Sequence, residues 1–218
     1  MNTKRFFIWG TFILIVGLIT WGMVEAGKKE ERENANLATV DKVVSTDHVK
    51  GATTSPVTII EYSDFQCPAC GAYFPLVEQT LKESAIPVLF VYRHFPLTQH
   101  ANAVPASQAS EAAGKQGKFW EMHELIFTNQ KNWEESKTAK TIFESYAKEL
   151  KLDMEKYAID IESEETMDKI NNDQKSGIKA GVVSTPTFYI NGKKIDNPKN
   201  NEQFKKLIED AAIATKNS

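Results

Sequence analysis

Apolar positions along the chain fall into a few distinct patterns. The first is unbroken: Phe6 to Val24, FFIWGTFILIVGLITWGMV, is nineteen residues without a charge. As a helix it would be about 28 Å long, close to the hydrocarbon thickness of a bilayer. Trp9 and Trp21 lie near its ends, where amphipathic rings prefer the interface, and Lys4 and Arg5 precede it. The run exceeds a usual signal-peptide core, which predicts an uncleaved transmembrane helix, although Val24-Glu25-Ala26 also has the small-residue spacing of a signal cleavage site. Lys28, Lys29 and Arg32 follow the span and weaken the charge bias, so the very short N-terminal flank decides the predicted orientation, with the N-terminus inside and the remainder outside. Lys28 to Asn36 is polar and charged with no apolar period and reads as a flexible stalk.

Beyond the stalk the patterns shorten. Val57 to Tyr62 (VTIIEY) is rich in β-branched and aromatic residues and predicts a buried strand. Pro68 sits where a helix can begin, Phe74, Val77 and Leu81 follow at helical spacing, and Pro75 should kink that helix. Val88 to Tyr92 (VLFVY) predicts a second buried strand. From Ala101 to about Gly181 the period is helical, through Phe119, Met122, Ile126, then Ile142, Phe143, Tyr146 and Leu150, with Gly114, Gly117 and Asn132 as punctuation. Thr187 to Ile190 and Lys193 to Ile195 flank Asn191-Gly192, a hairpin signal, and Phe204, Leu207, Ile208 and Ala211 form one face of a last helix. The order predicts an α/β fold, a sheet layered with helices and carrying extra helices in its middle. The expected divisions are 1–26, a membrane anchor or signal; 27–46, a flexible linker; and 47–218, the folded domain, with its helical insertion at about 98–180.

Composition adds exclusions. Of 218 residues, 41% are hydrophobic and 25% charged, ordinary for a folded domain, and a net charge of -3 gives no support for nucleic-acid binding. Two cysteines cannot make a disulfide scaffold, so an apolar core must hold the fold. Both lie in Glu61 to Leu81, EYSDFQCPACGAYFPLVEQTL, as Cys67 and Cys70 with Pro68 and Ala69 between them.

Three chemistries fit a Cys-x-x-Cys pair. A zinc site would recruit His94 and His100, but the gap from Cys70 to His94 is longer than in a finger and holds a strand pattern. A structural staple would close a tiny loop and remove little entropy from the unfolded chain. The redox reading explains the position. A helix N-terminus favours negative charge, so Cys67 just ahead of the helix should ionise easily, while Cys70, one turn in, should be more buried and resolve the mixed disulfide. Pro68 stiffens the turn. This chemistry calls for no cofactor and no metal.

These residues resemble the thioredoxin superfamily and, within it, the DsbA-like disulfide oxidoreductases. The likeness rests on VTIIEYSDFQCPAC (Val57 to Cys70), on Tyr92 to Leu97 (YRHFPL), on Gly117 to His123 (GKFWEMH), and on Val183 to Phe188 (VSTPTF). It implies a thioredoxin fold with an inserted helical domain, preceded here by the N-terminal transmembrane helix. It implies a redox-active Cys67–Cys70 disulfide, a cis proline at Pro186, and a Thr185 whose backbone binds extended substrate. It also makes Glu61 the buried acid that takes a proton from Cys70, against the alternative of a strand-end surface glutamate. His94, His100 and His123 are expected to be packed or surface residues. Phe65 and Tyr73 either rim the site or pack in the core. The best-known members carry histidine where this chain has Ala69, which predicts a milder oxidant. The expected activity is disulfide donation to folding secreted or surface proteins at a cell membrane, with a membrane quinone-linked disulfide oxidase as electron partner. The rival expectations are a reductase or isomerase, and a non-catalytic chaperone with the same fold.

Overall fold

A computed structural model describes residues 42–216. The predicted membrane helix at Phe6 to Val24 lies outside the described residues, and no helix among those described is long and apolar enough to cross a membrane. The helices are α1 (Pro68–Glu83), α2 (Ala103–Gly114), α3 (Phe119–Thr128), α4 (Gln130–Trp133), α5 (Ala139–Glu149), α6 (Met154–Ile161), α7 (Glu164–Ala180) and α8 (Asn201–Lys216). The strands are β1 (His48–Gly51), β2 (Val57–Ser63), β3 (Val88–His94), β4 (Thr187–Ile190) and β5 (Lys193–Lys194), in the sheet order β1-β3-β2-β4-β5.

The two predicted buried strands became the centre of the sheet. β2 and β3 pair in parallel, Val57 against Val88 through Ser63 against His94, and β4 pairs antiparallel to β2 on its other side. Alternation along each strand splits the side chains between two layers. Val57, Ile59, Phe90, Tyr92, Phe188 and Ile190 join the larger core with Phe204 and Ile208 of α8 and the apolar residues of α2, α3 and α5. Ile60, Tyr62, Val91 and Tyr189 turn the other way, toward Phe95, Ala180 and Val182. On that side α7 approaches so closely that a Cβ on Gly177 would overlap the rings of Phe95 and Tyr62.

Local chemistry sets the ends of α7. Ser163 caps its start by accepting from the Thr166 N–H, and Glu164 and Glu165 fill the first turn, where the helix dipole favours acids. Gly181, at φ +82°, closes it. The Gly181 N–H donates to Ile178 O and the Val182 N–H to Gly177 O, the paired bonds of a Schellman ending.

Three readings shift. β1, four residues pairing antiparallel with β3, was not predicted, because HVKG is too short for alternation to register. Asn132 does not punctuate the helical stretch; it lies inside α4. α1 continues through Pro75, which is exposed on its outer side. The fold also engages the end of the predicted linker: Arg93, which donates through Nε and Nη2 to Asp47, also reaches the Lys42 carbonyl through Nη2 at 2.8 Å.

Candidate active site

The site forms where β2 runs out and α1 begins. Cys67 is the N-cap of α1, with extended backbone at φ -67° and ψ 122°, and Pro68 occupies the first helical turn. The Cys67 carbonyl accepts from the Gly71 N–H at 3.1 Å, so the N–H groups of the first turn are left pointing out of the helix end. Both cysteines are present as free thiols. Cys67 is 7% exposed and Cys70 0% exposed, with Pro68 and Ala69 exposed beside them. The opposite wall is the loop before β4, where the Thr185–Pro186 peptide is cis. The Cys67 thiol donates to the Thr185 carbonyl at 3.5 Å.

The two sulfurs sit in opposed fields. Cys67 is pulled down from the ordinary thiol range to about 5: Cys70 donates to its thiolate, which outweighs the opposing effect of burial, and Thr185 and the backbone N–H groups of Cys70 and Ala69 add to the stabilisation. At neutral pH Cys67 therefore favours its thiolate form. Cys70 is pushed well above the ordinary range, first by burial, then by Cys67 and by the charge of Glu61. The Asp64 N–H lies 3.5 Å from its sulfur.

Glu61 is buried, on β2 between Tyr92 of β3 and Phe188 of β4. Burial raises its carboxyl to about 7, the Ser63 hydroxyl opposes that rise, and the charge of Glu78 adds to it. Its burial removes the surface alternative, and its charge acts on Cys70. Phe65 is fully buried, stacked on Tyr92 at 5.2 Å, and belongs to the core; Tyr73 is half-buried against Phe188. His94 and His123 are buried and His100 is bonded to Asp64 at 2.7 Å.

Residues that sequence reasoning passed over hold the turn in place. The Asp64 carboxylate accepts from the Gln66 N–H at 2.7 Å, the Leu97 N–H at 2.8 Å and His100. Gln130, from α4, donates to the Phe65 carbonyl at 2.7 Å and to the Cys67 carbonyl at 3.0 Å. Its amide packs so closely on Gly71 that any larger residue there would overlap it. Gln66 reaches outward to the Asn102 N–H and the Glu134 carbonyl. No spacing in the sequence links these residues, because each bond spans 33 to 68 positions apart from the local one between Asp64 and Gln66.

A Cys-x-x-Cys pair at a helix mouth, facing a cis-proline loop at the end of a mixed sheet, is the arrangement of a thioredoxin-like protein with a dithiol site. The family model described as thioredoxin matches residues 43–210, and the chain belongs to that family. Among solved structures, alpha-DsbA1 of Wolbachia pipientis is similar at a TM-score of 0.73 and 22% identity, over 82% of this chain and 96% of that one. Oxidised BdbD from Bacillus subtilis is similar at 0.68 and 25% identity, over 77% and 93%. Two relatives named Na(+)/H(+) antiporters also match. NhaA 3 of Salinispora tropica is 37% identical over 163 residues, 74% of this chain and 24% of the antiporter, and NhaA 1 of Mycolicibacterium gilvum is 34% identical over 155 residues, 70% and 24%. The chain therefore spans about a quarter of the length of the curated relatives it matches.

Proposed function

We propose that the protein introduces disulfides into secreted or surface proteins, acting outside the cytoplasmic membrane and tethered to it by the apolar N-terminal segment. The observation that carries this reading is the unequal placement of the pair: Cys67 caps the mouth of α1 beside the Thr185 carbonyl, and Cys70 is fully buried one turn in, which favours the thiolate at the first and the thiol at the second. A stabilised Cys67 thiolate favours the reduced pair, and a pair that prefers to be reduced passes its disulfide on. A substrate thiolate attacks Cys67 of the disulfide, Cys70 leaves, and Glu61 returns a proton to it. The resulting mixed disulfide is released when a second substrate thiolate attacks the substrate sulfur, leaving the reduced pair. Thr185 and Pro186 present the backbone against which an extended peptide lies, beside exposed Val183 and Ser184. Reoxidation requires an electron acceptor, for which a membrane quinone-linked oxidase is the partner we assign.

Ala69 tempers the strength of this oxidant, since its side chain adds no donor to the one its backbone N–H already gives the thiolate. The reading is tested by equilibrating the purified protein with glutathione. A potential more oxidising than the glutathione couple supports disulfide donation. A strongly reducing value transfers the protein to the reductase reading.

A further inference from the structure

We propose that Gln130 is a positioning residue for Cys67: through it, the helical stretch between β3 and β4 fixes where the reactive sulfur stands against the first turn of α1. The proposal rests on the reading that Cys67 and Cys70 exchange disulfides, and deepens it. It begins from bonds that cross in both directions. Phe65, Gln66 and Cys67, the last residues before α1, are each tied to Gln130 or Glu134. The Gln130 amide nitrogen donates to the Phe65 carbonyl at 2.7 Å and to the Cys67 carbonyl at 3.0 Å, so both of its hydrogens are spent on the turn. Gln66 answers from the turn, donating to the Glu134 carbonyl at 2.6 Å. The Cys67 N–H donates to the Asp64 carbonyl at 3.0 Å. Cys67 therefore has the peptide plane on each side held, which fixes its φ and ψ and the direction of its Cα–Cβ bond.

The amide comes from a firm support. Gln130 is buried, and Trp133 at the other end of α4 is fully buried and donates to the Ile126 carbonyl at 2.8 Å. The Asn102 amide gathers the carbonyls of Trp133, Glu134 and Ser136 just beyond. Gly71 supplies an independent sign that α1 is shaped around this contact. It lies inside the helix, one residue past Cys70, and has no positive φ that would call for glycine. Glycine is a poor helix former. Space explains its presence, because a Cβ at this position would overlap Oε1 of Gln130.

Position matters here because the donors to the Cys67 sulfur come from two sides. Its charge is held first by the Cys70 S–H, and also by Thr185 and by the N–H groups of Cys70 and Ala69. All but Thr185 belong to the first turn of α1; Thr185 stands across from it on the loop before β4. Hydrogen bonds weaken steeply with distance and angle, so the sulfur meets both sides at one setting of the Cys67 backbone. The Cys67 carbonyl links that setting to Gln130. It accepts the Gly71 N–H at 3.1 Å, which opens the helix, and the Gln130 amide, which orients the opening. Gln130 touches no reacting atom and acts through this carbonyl.

The test uses the purified full chain and two readouts: the pH midpoint of Cys67 alkylation in the reduced protein, and the equilibrium of the pair with glutathione at pH 7. Gln130→Met keeps the length of the side chain and removes both donors. It should raise the midpoint by about one pH unit and shift the glutathione equilibrium about tenfold toward the oxidised protein. The two factors should agree, since the same thiolate favours the reduced pair. Gly71→Ala, which pushes the amide away, should move both readouts the same way although alanine is the better helix former. A merely structural Gln130 would lower the melting temperatures of the reduced and oxidised forms together and leave the midpoint and the equilibrium in place. A folded Gln130→Met with a midpoint within about 0.3 unit of wild type, a factor of about two, overturns the proposal. Should that variant not fold, an unmoved midpoint in Gly71→Ala overturns it alone. Normal exchange in wild type with unmoved variants removes the role of Gln130 only; a wild-type pair that never exchanges with glutathione removes the disulfide reading and that role with it.

Discussion

The mouth of α1 and the floor beneath it hold the same functional group in opposite states. Cys67 and Cys70 are three residues apart in sequence, both thiols, and both more than nine-tenths buried. What separates them is direction. Cys67 lies just ahead of the first turn, where N–H groups and the Cys70 S–H converge on it. Cys70 points inward among apolar side chains and feels the Glu61 charge, which outweigh the one Asp64 N–H that reaches its sulfur. Burial alone therefore does not set a thiol's ionisation; the supply of hydrogen-bond donors to the charged form does.

The largest expected effect isolates the mouth. Cys67→Ser should abolish exchange with a cysteine-containing peptide, whereas Cys70→Ser should keep the first attack and trap the mixed disulfide, seen as a mass adduct. Equal loss of adduct in both variants would erase the distinction between the two sulfurs. Next comes the floor. Glu61→Gln should slow the Cys70 step at pH 7 by about a hundredfold with little change in Cys67 alkylation, as read by stopped flow. A variant that altered only the alkylation would place Glu61 at the mouth instead.

The pH dependence follows from the sign of the Cys67 shift. Its folded pKa lies below its unfolded one, so the reduced protein gains stability from this group as pH rises from about 5 to 9, and loses it as pH falls through about 5. The melting temperature of the reduced form minus that of the oxidised form should rise over that window, and the melting temperature of Cys67→Ser should lack the rise that the reduced wild type shows. The smallest effect is the subtlest. Ala69→His adds a donor near the thiolate and should raise the potential by about 30 mV, a tenfold change in equilibrium. An unchanged or more reducing value would remove Ala69 as the reason for a mild oxidant.

Much of the site was legible because its chemistry is local. The order of strand, Cys-Pro-Ala-Cys and helix states both where the dipole lies and which cysteine meets it. Glu61 was harder: neighbours Ile59 and Ile60 announce a buried strand, but alternation alone does not say which layer its carboxylate enters. Phe65 illustrates the same limit, since a ring beside the motif is equally suited to a rim, and only packing against Tyr92 assigns it to the core. Gln130 left no signal, because a glutamine that bonds carbonyls more than sixty positions away has no periodicity of its own.

The sequence by itself determined the elements, their order and the reactive pair, since these follow from side-chain periodicity and from a proline and two cysteines at a helix start. Only the tertiary structure decided which acid acts on Cys70 and which insertion residue pins the Cys67 carbonyl. Those outcomes depend on strand register and on helices docking across distant parts of the chain, where a displacement of one residue would send each side chain to the opposite layer.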